Sequence, residues 1–157
     1  MRAAWAAICE RPGEMQLHKQ PVPQVGGTEG LLRVEASGIC GTDVAIFDGR
    51  FGDRLYPLTL GHEIVGTIAE IGDDAAAAWQ VAPGDRVFVE EFLPCRHCAP
   101  CRRGQYALCA QTDFIRNTDA LRYGATPASV PPALWGAFAQ MMYLHPASLV
   151  HRLPRDM

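Results

Sequence analysis

Four cysteines within fifteen residues constrain this chain more than any other feature: Cys95, Cys98, Cys101 and Cys109, spaced C-x2-C-x2-C-x7-C. Thiolates so close together in one loop match the ligand count of tetrahedral Zn²⁺. Four sulfurs saturate that metal, so the predicted site is closed and structural rather than catalytic. A lobe at about residues 93–112 folded around zinc needs little core of its own, because structural zinc in peptides contributes on the order of 10–16 kcal/mol of apparent binding free energy. Two other readings use the same residues. An iron–sulfur run also opens C-x2-C-x2-C, but its characteristic fourth Cys followed by Pro is missing here. Disulfide pairing is the other, and it belongs to oxidising compartments. His97 could replace a sulfur, but four Cys suffice and it reads as a solvated loop residue.

The remaining composition narrows the class. Of 157 residues, 48% are hydrophobic and 20% charged, which places the chain among ordinary folded domains rather than disordered or fibrous ones. With 14 basic against 17 acidic side chains, net −3, it lacks the basic excess of a nucleic-acid binder. The run Ala3 to Cys9 is far short of the roughly 20 apolar residues of a membrane span. It also lacks the cleavage site of a signal peptide and meets Glu10, Arg11 and Pro12 at once. The expected setting is therefore the reducing cytoplasm, without membrane or nucleic-acid partners, where clustered cysteines serve metal binding or catalysis.

Short β-like runs dominate: Ala3 to Cys9, Met15 to Gln20, Gly30 to Ser37, Ile64 to Ile71, Arg86 to Phe92 and Ala137 to Leu144. Leu32, Val34 and Ala36 alternate with Leu31, Arg33 and Glu35, the two-residue period of a strand with one face on a core. Val81 to Asp85 reads as a turn feeding the next strand. Thr42 to Phe47 reads as a short helix with Thr42 as its cap. Asp73 to Ala78 reads as a surface loop and Gln111 to Pro132 as irregular. The prediction is one mainly β domain over 1–157.

A second constellation lies apart from the lobe. Cys40-Gly41-Thr42-Asp43 and Gly61-His62-Glu63 supply a sulfur and an imidazole from separate segments, a mixture found in catalytic zinc sites. By spacing alone the commoner reading is a buried thiol, a hydrogen-bonded histidine, a helix-capping threonine and two solvated acids.

In order and spacing, the pieces together resemble the amino-terminal half of the zinc-dependent medium-chain alcohol dehydrogenases. They are Gly38 to Asp43, Leu60 to Glu63 with Val65-Gly66, Gly84 to Val87, the cysteine lobe through Arg103-Gly104 and Leu108-Cys109, and Gly136-Ala137-Phe138-Ala139 through Leu153-Pro154. The resemblance covers nearly the whole chain. It implies a GroES-like, partly open β-barrel carrying the four-cysteine zinc lobe. It also implies oxidation of an alcohol to aldehyde or ketone with NAD or NADP. Cys40 and His62 take the place of two catalytic zinc ligands, Asp43 that of the carboxylate orienting the histidine, Glu63 that of the neighbouring acid, and Thr42 that of the hydroxyl bonded to the substrate oxygen.

Departures from the family pattern carry their own expectations. Where many relatives place a relay histidine five residues after the ligand Cys, this chain has Ala45, leaving Asp48, water or a cofactor ribose hydroxyl as substitutes. No Gly-x-Gly-x-x-Gly fingerprint follows a strand, so the nucleotide-binding Rossmann domain, and with it the remaining zinc ligand, is expected outside this chain. The fragment alone is then expected to be inactive, and the full protein a homodimer or homotetramer. Phe47, Phe51, Phe92 and Trp135 are candidates to line a substrate cleft, Phe92 foremost. The alternative is a stand-alone GroES-like zinc-binding interaction protein without enzymatic activity.

Overall fold

In the computed structural model, which describes residues 2–154, the first strand shows how the chain builds its core. Along β1 (Ala3–Arg11), Ala4, Ala6 and Ile8 turn inward while Ala3 and Trp5 face out, the pleat of a half-buried strand. A tight turn returns it as β2 (Glu14–Pro21), antiparallel, with Ala3 opposite Pro21 and Cys9 opposite Met15. The two-residue β4 (Leu58–Thr59) pairs with the other edge of β1, giving a three-stranded sheet in the order β2-β1-β4.

The second sheet has five antiparallel strands, with β3 (Gly30–Gly38) and β5 (Glu63–Ile71) at its heart, β6 (Arg86–Val89) beside β5, and β7 (Met141–Leu144) and β8 (Val150–Arg152) at the edges. Leu31 and Leu32 are both buried, against strict alternation, because the β3–β5 register shifts between them; such a bulge puts successive side chains out of phase. The sheets meet where Ala6 bridges Ala139 and the Ala7 amide donates to the Phe138 carbonyl at 2.7 Å. The result is an open barrel rather than a closed one. Its main core gathers Leu32, Ile64, Ile68, Val87, Met142 and Trp135. A second cluster of Cys9, Ile46, Leu58, Leu60 and Phe114 lies under helix α1 (Gly41–Phe47).

Several sequence expectations need correction. Asp73–Trp79 is not a loop but a helix, α2. Alanine is the best helix former and two aspartates occupy its first turn, where they complement the dipole; with only Ala75 buried, the segment has no apolar stripe to announce it. Strand β6 stops at Val89 rather than Phe92, and β7 begins at Met141 rather than Ala137, residues 137–139 contributing a single bridge instead. The 81–85 turn and the irregular course of 111–132 are as expected. Among the described residues no helix is long and apolar enough to cross a membrane.

Candidate metal centres

The start of α1 fixes the first donor. Cys40, not Thr42, is the N-cap: its Sγ accepts the Thr42 amide at 3.3 Å, and the Asp43 carboxylate reaches back to the Cys40 amide at 2.9 Å. This reciprocal arrangement satisfies two helix-end donors and holds the sulfur in place. Burial opposes the Cys40 thiolate, but the Thr42 and Asp43 amides outweigh it and lower its pKa.

His62 arrives from the segment between β4 and β5. The preceding Gly61 has φ +89°, and a Cβ there would lie 2.5 Å from the Phe138 ring, so both conformation and space require glycine. Asp43, only 2% exposed, joins the two segments through its Oδ1, which accepts the Gly61 amide at 3.1 Å and lies 3.3 Å from His62 Nδ1. The other imidazole nitrogen, Nε2, is 3.0 Å from Cys40 Sγ. The Asp43 hydrogen bond outweighs burial and lifts the His62 pKa to about 9, with smaller contributions from Glu91 and Cys40. Asp43 itself stays ionised: burial works against its charge, but the donors of His62, Cys40 and Gly61 prevail and lower its pKa.

Glu63 completes the group. It is exposed at the head of β5 opposite Gly38, and a Cβ on Gly38 would meet its Oε2 at 1.9 Å, so glycine makes room for this carboxylate. The ligand atoms of Cys40, His62 and Glu63 all lie within 4.8 Å of one another. Sulfur, imidazole and carboxylate form a donor set that suits zinc.

The second centre is the cysteine lobe. All four sulfurs lie within 4.8 Å of one another, and His97 is exposed outside the group. Cys95 and Cys101 sulfurs are 3.9 Å apart, close to the ~3.8 Å edge of a tetrahedron with Zn–S bonds of about 2.3 Å. The Cys98 amide points at Cys95 Sγ at 3.4 Å and the Cys95 amide at Cys109 Sγ at 3.5 Å. Burial resists ionisation of Cys95, yet the amides of Cys98 and His97 bring its pKa down to about 6. Helix α3 (Ala99–Arg102), with Cys98 as its N-cap and Pro100 in its first turn, carries Cys101. No residue from 95 to 108 belongs to either buried cluster, so the four sulfurs are the lobe's own centre. Tyr106 ties it to the barrel by donating to Glu90 at 2.9 Å.

The sequence profile of the alcohol dehydrogenase GroES-like domain matches residues 26–155. The chain belongs to this family. A Mycobacterium tuberculosis protein named "Probable alcohol dehydrogenase" is 41% identical over 97% of this chain and 40% of its own length. An erythritol/L-threitol dehydrogenase of Mycolicibacterium smegmatis is 36% identical over 96% of this chain and 41% of its own length. Among solved structures, a Sinorhizobium meliloti protein described as a "putative zinc-binding dehydrogenase" and bound to NADP superposes with a TM-score of 0.77 at 25% identity, covering 100% of this chain and 40% of that one. The chain thus spans about 40% of the length of the relatives it resembles.

Within this alcohol dehydrogenase domain, the structure brings together Cys40, His62, Asp43 and Glu63, with Thr42 on the first turn of α1, and separately Cys95, Cys98, Cys101 and Cys109. Asp48 does not join them: it caps the far end of α1 and pairs with Arg50 at 3.0 Å. Of the four aromatic candidates only Phe47 lines the apolar cleft of about 770 Å³ that runs past Asp43, together with Trp5, Leu17, Ile39, Val44 and Phe138. Trp135 is core, Phe51 packs on Phe114, and Phe92 lies under the Arg122 guanidinium. Sequence reasoning missed Glu91, whose charge reaches His62. Adjacent glutamates at 90 and 91 gave no sign that they would part, one to Tyr106 and His151, the other to Arg122.

Proposed function

We propose that residues 1–157 form the catalytic domain of a zinc-dependent alcohol dehydrogenase which, joined to a nucleotide-binding domain, exchanges hydride between a small alcohol and NAD(P)⁺ to give an aldehyde or ketone. The observation that carries this reading is the convergence of Cys40 Sγ and His62 Nε2 at 3.0 Å while Asp43 engages the opposite ring nitrogen. The carboxylate accepts the Nδ1 proton, which leaves Nε2 as the metal donor and raises its basicity. Cys40 supplies a thiolate from the helix cap, and Glu63 is the adjacent acid that tunes the centre. Thr42 bonds the substrate oxygen and passes its proton outward. Zinc held by Cys40 and His62 would supply Lewis acidity toward the substrate oxygen. The four cysteines hold a closed structural zinc. The names of relatives as alcohol, erythritol/L-threitol and sorbitol dehydrogenases support an alcohol or polyol substrate. The full protein, on this reading, is a cytoplasmic homodimer or homotetramer that binds no nucleic acid.

Elemental analysis combined with turnover tests it. The 157-residue polypeptide should retain about one zinc, in the closed lobe, and transfer no hydride. The full-length protein should hold about two and oxidise an alcohol with NAD(P)⁺. Cys40→Ser should abolish that activity with the lobe zinc retained. Iron with visible colour, or a folded chain without metal, overturns the zinc assignment. A zinc-loaded full-length protein without hydride transfer would leave the nonenzymatic interaction protein as the reading.

A further inference from the structure

His62 stands at the end of a link, residues 60–62, that belongs to no helix or strand. Asp43 fixes one ring nitrogen at 3.3 Å, but approach to a carboxylate oxygen is broad in direction. Where Nε2 points therefore depends also on where the backbone puts His62 Cβ. Two passes of the segment that returns from the cysteine lobe grip this link. In one, the Ala137 amide donates to the Gly61 carbonyl and the Phe138 amide to the Leu60 carbonyl, both at 2.9 Å. In the other, Gly124 lies so close that an added Cβ would be 3.1 Å from His62 Cβ and 3.2 Å from both the carbonyl carbon and oxygen of Gly61.

Gly124 is held there by a turn that one buried hydroxyl closes from both ends. Thr126 Oγ1 accepts the Arg122 amide at 2.9 Å and donates to the Arg122 carbonyl at 2.8 Å, and that carbonyl also takes the Thr126 amide at 3.0 Å. Thr126 is fully buried. Next to it, Pro127 bridges Leu58 and the Ala128 amide donates to the Pro57 carbonyl at 2.7 Å, stitching the turn to the strand that leads into His62. The Gly124 amide donates to the Trp135 carbonyl at 2.8 Å, which joins the two passes, and Trp135 sits in the main core. The backing of the histidine is thus rooted in the barrel. Carbon atoms rest at about 3.5–4.0 Å from one another, so a methyl group on Gly124 would displace His62 by roughly 0.5 Å, the tolerance within which a functional constellation must be held.

We propose that Gly124 and Thr126 are positioning residues for His62: the turn closed by Thr126 sets Gly124 against the link and so keeps Nε2 aimed at the metal position beside Cys40, though neither residue supplies a donor atom. The proposal rests on the zinc dehydrogenase reading above. Its test uses the zinc-loaded full-length protein and reads zinc affinity at the Cys40 centre by chelator competition, with kcat and KM for an alcohol alongside. Gly124→Ala should weaken that zinc about 10- to 100-fold, the range for groups that orient a metal ligand, and leave the lobe zinc in place. Cobalt(II) exchanged into the Cys40 centre should show altered visible bands, and kcat should fall by a larger factor than KM rises. Gly13→Ala is the control: Gly13 has φ +76° against +74° at Gly124, but nothing lies within 4 Å of an added Cβ. It carries the same backbone strain without the contact and should keep wild-type affinity and spectrum. Thr126→Val removes both hydroxyl bonds at nearly constant volume and should weaken the same zinc, while Thr126→Ser, which keeps the hydroxyl, should restore it. Unchanged affinity in a folded Gly124→Ala overturns the proposal, as does an equal loss in Gly13→Ala. Where Gly124→Ala does not fold, the Thr126 pair decides, and equal affinities in its two variants overturn the proposal. A wild type whose Cys40 centre holds no zinc overturns it together with the metal assignment. A wild type that holds zinc there without transferring hydride fails the dehydrogenase reading alone, and the affinities of the variants still decide what positions His62.

Discussion

At the scale of single residues, Asp43 does three jobs with one carboxylate: it completes the α1 cap, accepts the Gly61 amide and sets His62. Asp43→Asn keeps the shape but not the charge, and the amide can no longer accept from every donor. Partners that orient a metal ligand are typically worth 10–100-fold in affinity. Asp43→Asn should therefore weaken zinc at the Cys40 centre about 10- to 100-fold and leave the lobe zinc in place, as read by chelator competition; unaltered affinity would remove Asp43 from the metal site. Tyr123 makes a different prediction. Full burial, partly offset by Ser148 and the His145 amide, pushes its pKa up to about 12. Its neutral form is favoured in the folded state, so the associated stability is complete below the unfolded value near 10 and is lost as pH rises toward 12. Over that window stability should fall by about 1.4 kcal/mol per pH unit from this group. Tyr143, buried and donating to Glu29 at 2.6 Å, is raised as well. Tyr123→Phe should thus reduce the alkaline slope without abolishing it. Denaturant titrations at pH 9 to 12 measure it, and an unchanged slope would contradict the assignment.

Among the elements, the lobe and the barrel are held by different forces. The barrel strands bury Leu, Ile and Val against one another, whereas residues 95–108 of the lobe, centred on four sulfurs, contribute nothing to either buried cluster. Cys98→Ser should accordingly cost one zinc per chain and expose the amides of residues 95–109 to hydrogen exchange, while β3, β5 and β6 keep their protection. A lobe that stays protected without its metal would show that its packing suffices. The lobe was legible because ligand spacing along the chain is itself the signal. Helix α2 was not, since alanines carry helix propensity without the periodic apolar stripe that marks a buried face. The cap of α1 lies two residues before the one the sequence suggests: Thr42 has the commoner capping side chain, but Cys40 has the extended backbone, and its sulfur receives the amide.

For the whole molecule, both sheets share the main core, so damage at its centre should be felt throughout. Leu32→Ala, at a fully buried position between β5 and β7, should cost about 2–5 kcal/mol. Calorimetry should show one cooperative transition at lower temperature, with zinc release tracking that transition; two separated transitions would mean that the sheets fold independently. The sequence by itself determined the β-rich class and the four-thiolate cluster, because strand alternation and ligand spacing are local properties of the chain, while the residues around Cys40 and His62 stood out through the family resemblance and not through their spacing. What only the tertiary structure decided is which distant groups face one another. Cys40 and His62 are twenty-two positions apart and meet because α1 and the β4–β5 link are pinned by Asp43. Glu91 likewise meets Arg122, thirty-one positions away. Such encounters depend on sheet order and loop paths, which follow from burying one common core and leave no mark in the spacing of the residues concerned.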